Sequence, residues 1–435
     1  MHAWRVSRPC AKRLRIVSTF RHASETQHRH NPYALTRTAR SCQADIASGH
    51  PLRFRADAQT HAYPGCPMFS VRVESEHAIP SPFRDTYSLP LSIDLTETED
   101  LSSAIRAMIE DPALEQHFDT HPQAFHLLLQ RLEKVLDAAF ANGEDDALED
   151  VHAALFALYE LHVAPAASER CANQFNPYLI RVRGVIERRW LASEAMRAAP
   201  LDADVRTGQD LTDAIRAVSA QHRASHHPLF DFLETEATQE QLAAFFRSDS
   251  ALNIRFFDLI VLALLGSDPS VRGELSQNFW DEAGKGDAQQ SHVTLFRHLL
   301  HTTGIPHADD DHASLLAWQG LAGYNLFMMT GLNRSHGLKS LGVMAVTELL
   351  DPTQYEKLTR GCRRLGMGHQ GELEYYDEHV SIDVVHAEGW LSNVIVPLAT
   401  KFPSQMNDIY AGAQWRLNTC AAYYDDLHAR LLALR

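Results

Sequence analysis

Apolar residues recur every three to four positions along most of the chain from residue 95 onward, which is the spacing of one buried helix face. The pattern is clear in DLSSAIRAMIED (100–111), PQAFHLLLQRLEKVLDAAFAN (122–142) and DALEDVHAALFALYELHV (146–163), each bounded by Asp, Pro or Gly. Alternation with period two, which is typical of strands, is clear only in MFSVRVES at 68–75. We therefore predict an all-α protein.

The second half of the chain has longer periodic segments joined by short turns of Gly, Pro and Asp. A polar linker at 201–208 follows a predicted helix at 173–200 and indicates a boundary. The acidic stretch at 306–316 is interpreted as a helix start capped by Asp310 or Asp311 rather than as a metal cluster. Helices are predicted at 209–224, 239–247, 251–266, 269–282, 288–303, 312–331, 336–350, 372–397 and 404–433, a pattern typical of a compact bundle.

The composition is that of an ordinary globular protein, with 45% hydrophobic and 22% charged residues among 435. The longest apolar run, FFDLIVLALLG at 256–266, falls short of the roughly 20 residues that span a bilayer, so it is predicted to be a buried helix and no membrane contact is expected. Six cysteines with no pair two residues apart suggest neither a disulfide framework nor a zinc ribbon. A cytoplasmic location is therefore expected.

Charge is distributed unevenly along the chain. Residues 1–67 hold eleven basic and three acidic residues, a balance of +8. Because the whole chain has a net charge of −15, residues 68–435 carry a net charge of −23. Nucleic acid is therefore not an expected partner of the main body. The basic start resembles an organellar transit peptide in composition, but we favour a disordered tail or a translation start assigned upstream of the true one near Met68. A helical region at 68–200 and a bundle domain at 201–435 are predicted to follow.

Two histidines and an aspartate lie close together in YYDEHVSIDVVHAEGW at 375–390. At about 100° per residue, His379, Asp383 and His386 project from one helix face over two turns. Imidazole and carboxylate are the ligands that divalent first-row metals take. The pattern indicates either a metal site or a solvated polar face in a chain with 25 histidines.

Further ligands for such a metal are predicted on other helices. Glu282 and His292 flank a glycine-rich interruption, AGKG, in an otherwise helical stretch. Ten residues are roughly 80° away from a whole number of turns, so a regular helix separates the two side chains and only a break at Gly284 and Gly286 brings them together. The alternative is a helix that ends after Trp280 and is followed by a solvated loop.

Glu348 lies in an apolar helix, LKSLGVMAVTELLDP at 338–352. Burying its carboxylate without a partner is unfavourable. A metal ion satisfies it, and so does an ion pair with Lys339 or Arg334, or exposure near the helix end. The sequence leaves these choices open.

The order and spacing of these six residues resemble the heme-oxygenase-like diiron oxidases and oxygenases, also described as iron-containing redox enzymes. HHPLFDFLETEATQEQLAAFF at 226–246 is similar to the opening segment of that family, so the resemblance covers about 205–435. It implies a heme-oxygenase-like helical bundle, preceded here by extra N-terminal helices. The two non-heme iron ions that it implies have Glu282, His292, Glu348, His379, Asp383 and His386 as ligands. Some members use a further carboxylate on the preceding helix, for which the nearest candidate here is Asp258, a shorter side chain.

The resemblance also implies O2 as co-substrate and a small amino-acid-like or fatty-acid substrate that undergoes N-oxygenation, desaturation or C–C cleavage. Arg334 and Lys339 are candidates for binding a substrate carboxylate, if they are not simply in a solvated turn. Related proteins bind heme through an early histidine, here His226 or His227, or use a nucleophilic cysteine. Neither use explains the six-residue set.

Two other functions remain open from the sequence. One is a non-catalytic helical protein whose N-terminal helices bind a partner, and the other is a metal-binding protein without oxygenase activity. For the helices at 95–200 the sequence leaves three roles open: they extend the bundle, cover the site or form a homodimer contact. An electron donor is a further expected partner if the reaction needs external electrons.

Overall fold

The computed structural model describes residues 100–305 and 316–434. The basic tail at 1–67, the strand predicted at 68–75 and the cap predicted at Asp310 or Asp311 lie outside these residues. Within the described ranges the chain forms helices and no β-strand. The prediction of an all-α protein is therefore confirmed.

Sixteen α-helices are found in the described residues, and their bounds follow the apolar periodicity closely. Two π-helical stretches, Ala138–Asn142 and Gly389–Ile395, continue α3 and α14 as defined next. The helices are α1 (Leu101–Glu110), α2 (Leu114–Thr120), α3 (Pro122–Asp137), α4 (Asp145–Glu160), α5 (Pro177–Arg197), α6 (Gly208–Gln221), α7 (Pro228–Thr235), α8 (Gln239–Asn253), α9 (Phe256–Leu264), α10 (Arg272–Glu282), α11 (His292–Thr302), α12 (Trp318–Leu332), α13 (Gly337–Arg364), α14 (Glu374–Glu388), α15 (Val396–Lys401) and α16 (Met406–Ala433).

Helix starts are set by side chains that satisfy free backbone N–H groups. Thr207 caps α6 and Thr238 caps α8, each within a capping box. The side chain of the third helical residue, Asp210 or Gln241, accepts a hydrogen bond from the backbone N–H of the capping threonine. Such caps typically stabilise a helix by about 1 kcal/mol each. They fix the register in which the buried faces of α6 and α8 meet the rest of the bundle.

The two longest helices, α13 and α16, form the centre of the bundle and approach each other at backbone contact. A Cβ atom on Gly342 of α13 would lie 2.0 Å from the carbonyl oxygen of Ile409 in α16. A Cβ atom on Gly412 of α16 would lie 2.0 Å from the carbonyl oxygen of Lys339. Only glycine fits at both positions. Helices α6, α7, α12 and α14 pack against this pair.

Helix α13 is longer than predicted, because it continues through Pro352 to Arg364 instead of ending at 350. A proline inside a helix has no N–H to donate, so the carbonyl of Glu348, four residues earlier, loses its intrahelical partner. The helix predicted at 251–266 is in fact two, since α8 ends at Asn253 and α9 starts at Phe256.

The N-terminal helices extend the bundle on the side of α12. Helix α4 packs along α12, and the Tyr324 hydroxyl of α12 donates to the Glu160 carboxylate of α4 at 2.7 Å. Glu160 also pairs with Arg255 at 3.1 Å. None of the described helices combines the length and the apolar character that crossing a membrane requires.

Candidate metal centre

The three-residue stripe of α14 is buried. His379, Asp383 and His386 are 4%, 1% and 2% exposed, whereas Val384 and Val385 on the opposite side are 58% and 61% exposed. The polar residues thus face the core and the valines face outward, which is the reverse of an ordinary amphipathic surface helix. The stripe is not a solvated face.

A left-handed turn brings Glu282 and His292 together. Gly284, Lys285 and Gly286 have φ of 66°, 55° and 91°, so the chain reverses between α10 and α11. Glu282 is the last residue of α10 and His292 the first of α11, and their Oε2 and Nδ1 atoms lie 2.8 Å apart. The break expected from the two glycines is therefore present, and the alternative of a helix ending after Trp280 is wrong.

Glu348 is buried in the middle of α13 and approaches α14. Its Oε2 atom is 3.5 Å from Nδ1 of His386, and its Oε1 atom accepts a hydrogen bond from Nδ2 of Asn278 at 3.1 Å. No lysine or arginine of the described residues pairs with this carboxylate. It is satisfied by polar groups inside the bundle and not by exposure at a helix end.

The two basic residues predicted to bind a substrate carboxylate are engaged by the protein itself. Arg334 lies in an exposed turn and donates to the carbonyl oxygens of Leu265 and Gly266 at 2.7 and 2.9 Å. Lys339 pairs with Asp408. The structure gives this prediction no support, because neither cation is left unpaired for a ligand.

The six predicted residues form two buried groups of three. Within each group, one nitrogen or oxygen atom from each residue lies within 4.8 Å of the others. The first group has the two-histidine, one-carboxylate composition common in non-heme iron enzymes, and the second has one histidine and two carboxylates. The first group is Glu282, His292 and His379, and the second is Glu348, Asp383 and His386.

Neighbouring groups fix which nitrogen of each α14 histidine faces the site. Nδ1 of His379 lies 2.6 Å from the carbonyl oxygen of Tyr375, which can only accept, so this nitrogen carries the proton and Nε2 is the free ligand atom. Nε2 of His386 lies 3.3 Å from Oδ2 of Asp281, which leaves Nδ1 facing Glu348 and Asp383. Such outer contacts orient metal-binding histidines in general.

Several polar atoms of the two groups are buried without a hydrogen-bond partner. They are both ring nitrogens of His292, Oδ2 of Asp383 and Nδ1 of His386. The 2.8 Å contact between His292 and Glu282 does not have hydrogen-bond geometry, whereas two ligands of one octahedral ion are also about 3 Å apart. Unpaired buried atoms are costly, and a divalent cation in each group satisfies one ligand atom of each residue, so the residues fit two metal ions.

The pKa values describe how the protein without metal balances these charges. Burial lowers the pKa of His379 and of His292 to about 4, so both rings are neutral and ready to bind a metal at neutral pH. Burial raises the pKa of Glu282 to about 7. Burial opposes a charge on His386 too, but the carboxylates of Asp383 and Glu348 outweigh it and raise its pKa to about 11.

When no metal is present, the protonated His386 ring therefore supplies the positive charge between the Asp383 and Glu348 carboxylates that a metal ion would otherwise supply. The same contact lowers the pKa of Glu348 against the effect of burial. Burial together with the charge of Glu348 raises the pKa of Asp383 well above its usual range. A metal ion that binds here displaces these protons, as metal ions generally do at buried ligands.

The remaining candidates lie apart from the two groups. Asp258 is partly exposed and its nearest partner is Arg255 at 3.7 Å, so the structure does not place it among the ligands. His227 is buried and lies 3.0 Å from a carboxylate oxygen of Asp425, and His226 lies 2.8 Å from the carbonyl oxygen of Ala220. No cysteine of the described residues belongs to either group.

Asp281 is the residue of this site that the sequence analysis missed. It is buried, and besides His386 it accepts hydrogen bonds from Gln277 at 3.2 and 3.3 Å. Its only signal in the sequence is its position next to Glu282. Consecutive residues of a helix point about 100° apart, so Asp281 reaches the back of His386 while Glu282 faces His292 and His379.

Asp281→Ala is expected to weaken metal binding about 10- to 100-fold, because the Nε2–H of His386 loses its acceptor and the ring is no longer held in its tautomer. Asp281→Asn keeps an acceptor oxygen and should restore most of the affinity. Titration of the metal-free protein with Co(II), followed by its visible absorption, measures both. Equal affinities of Asp281→Ala and the unmodified protein would remove Asp281 from the site.

Comparison with known proteins gives a family match that spans this site. Residues 243–420 match a family described as iron-containing redox enzymes, and all six residues of the two groups lie in that segment. The resemblance inferred from the sequence, including a heme-oxygenase-like all-α bundle behind extra N-terminal helices, is thereby confirmed. No protein of curated function matches the chain.

Two similar solved structures are of a CADD-like protein of unknown function from Nostoc punctiforme PCC 73102. The crystal structure at 2.00 Å resolution is 18% identical, covers 51% of this chain and 97% of its own, and has a TM-score of 0.41. The one at 1.35 Å is also 18% identical, covers 52% of this chain and 96% of its own, and has a TM-score of 0.40.

Proposed function

We propose that the protein is a non-heme diiron oxidase or oxygenase, because residues 243–420 match a family described as iron-containing redox enzymes. It uses O2 to oxidise a small amino-acid-like or fatty-acid substrate. The observation that carries this proposal is the pair of buried three-residue groups, each with ligand atoms within 4.8 Å of one another and some of them unpaired. A single iron needs only one such group.

Each group supplies three ligands and so leaves coordination positions free on a six-coordinate ion. When bound, two Fe(II) ions supply electrons for the reduction of O2 and a place where O2 and substrate meet. Carboxylates suit this chemistry because they offset the charge that iron gains on oxidation, and neutral histidines favour iron over magnesium or calcium. Glu282, His292 and His379 hold one ion, and Glu348, Asp383 and His386 hold the other.

The protein also excludes water from the site. The Tyr375 ring lies 4.2 Å from the His379 ring and 6.0 Å from the His292 ring, centre to centre, and covers both imidazoles. Trp390, which follows the ligand stripe in the π-helical stretch, is fully buried. π-Helical insertions are frequent next to functional sites, and a dry site strengthens every charge interaction within it.

The proposal is tested on the full chain purified without oxygen. We expect it to retain two Fe(II) ions per chain and then to consume O2 in an oxygen-electrode chamber, whereas metal-free and Zn(II)-loaded protein do not. Iron binding without O2 consumption would favour a metal-binding protein that is not an oxygenase. No retained iron would favour a non-catalytic interaction protein.

A further inference from the structure

An internal cavity lies next to the two ligand groups, between α8, α12, α13 and α16. Its empty space is about 660 Å³, a figure that includes open solvent at its mouth. Its wall is apolar except for a few convergent polar groups. The polar side chains of its wall include Asp249, Asp351, Tyr355 and Arg416.

Tyr355 connects the cavity to the metal centre. Its ring lines the cavity and lies 6.0 Å from the His379 ring, centre to centre. Asp351 also lines the cavity and is one helical turn after Glu348 on α13. The Tyr355 side chain thus borders both the cavity and the ligand residue His379.

Arg416 is a buried cation of this wall, with 8% of its surface exposed. Its Nε donates to the Thr347 hydroxyl at 2.9 Å, and its guanidinium lies 4.8 Å from the centre of the Phe327 ring. No carboxylate of the described residues lies within ion-pair distance of it. A buried arginine held by its Nε and packed on an aromatic ring keeps its two terminal NH2 groups for a planar anion such as a carboxylate.

Two aspartates share the cavity with Arg416. Asp351 makes no hydrogen bond or ion pair with any described residue. Asp249 accepts from the Tyr376 hydroxyl at 2.8 Å and from Asn253 at 2.7 Å, both on Oδ2, so its Oδ1 is left. Burial raises the pKa of Asp249 to about 6 and that of Asp351 well above its usual range. A bound ammonium group compensates that burial.

We propose that this cavity binds the substrate and that the substrate is an α-amino acid, whose carboxylate pairs with Arg416 and whose ammonium pairs with Asp351 and Asp249. The inference rests on the proposed function and narrows its substrate class, because a fatty acid pairs with Arg416 and brings no cation to Asp351 or Asp249. A simple amine leaves Arg416 unpaired in the same way. A zwitterion brings a partner to the arginine and to the aspartates alike.

Binding is tested by thermal denaturation and calorimetry of the full chain without metal, so that the result does not depend on iron or O2. The probes are the common L-amino acids, with hexanoate and hexylamine as ligands that carry one charge only. At least one amino acid is expected to raise the melting temperature, and its affinity should exceed that of both single-charge probes at least about tenfold.

Arg416→Gln is expected to lower the affinity for that amino acid about 10- to 100-fold, because a charge-assisted pair with its carboxylate is lost. Asp351→Asn provides a second variant should Arg416→Gln fold poorly, and it should remove the preference over hexanoate. Arg334→Gln, at an exposed arginine, is the matched control and should bind normally. The inference is overturned if no amino acid binds, or if hexanoate binds as tightly, even when the iron-loaded protein consumes O2.

Discussion

Asp383→Ala is expected to reduce the iron content from two ions per chain to one at most, and His379→Ala to do the same from the other group. Each change removes one of only three ligands, so the affinity of the affected ion should fall more than about 100-fold, beyond the effect of losing an outer contact. Because Asp383 and His379 serve different groups, the retained ion differs between the variants. Metal analysis after anaerobic loading and desalting measures the loss.

The fold should survive the loss of Asp383. This carboxyl is buried with Oδ2 unpaired, so its removal relieves a desolvated group, and the helical circular dichroism of the metal-free variant should match that of the parent. Asp377→Ala is the matched control, since Asp377 is on the same helix but is exposed and pairs with Arg363. An unchanged iron count in Asp383→Ala would exclude Asp383 as a ligand, and unchanged counts in both Asp383→Ala and His379→Ala would exclude α14 from the metal centre.

The ligand stripe was predictable because its geometry is local. Helical periodicity alone places His379, Asp383 and His386 on one face, and two glycines signal the reversal between Glu282 and His292. That Glu348 meets them depends on how α13 packs against α14, and only the family resemblance indicated it. The all-α fold class was predictable from the same helical periodicity, because the apolar helix faces that it predicts are the faces that pack in the bundle.

The contacts around the ligands were not predictable, since they join residues distant in sequence through side-chain directions. Asp281 touches His386 across 105 positions, and Arg416 bonds to Thr347 across 69. Arg416 sits in a helix whose sequence has no motif, whereas the more conspicuous Arg334 turned out to brace a loop. Sequence patterns identify ligand types, but the second layer and the substrate cavity emerge only from packing.

A large loss of stability is expected from a substitution in the turn that joins α10 and α11. Gly284→Ala is expected to destabilise the protein by about 3 kcal/mol or more, from two sources. A side chain at φ of +66° is strained by about 1 kcal/mol, and its Cβ would lie 2.4 Å from backbone atoms of Gln290 and Ser291. Backbone cannot move aside as a flexible side chain can, so the turn must open and Glu282 must separate from His292.

Gly143→Ala isolates the first source, the backbone strain, because Gly143 has a similar φ of +73° but nothing within 4 Å of the added Cβ, so the difference between the two variants measures the clash. Its cost should be about 1 kcal/mol, a few degrees of melting temperature at most. Iron content separates the variants further, since Gly143→Ala should keep two ions and Gly284→Ala should lose the ion of Glu282, His292 and His379. If both variants melt alike and bind two ions, the tight turn does not hold the first group together, and the pairing of Glu282 with His292 must depend on α14 instead.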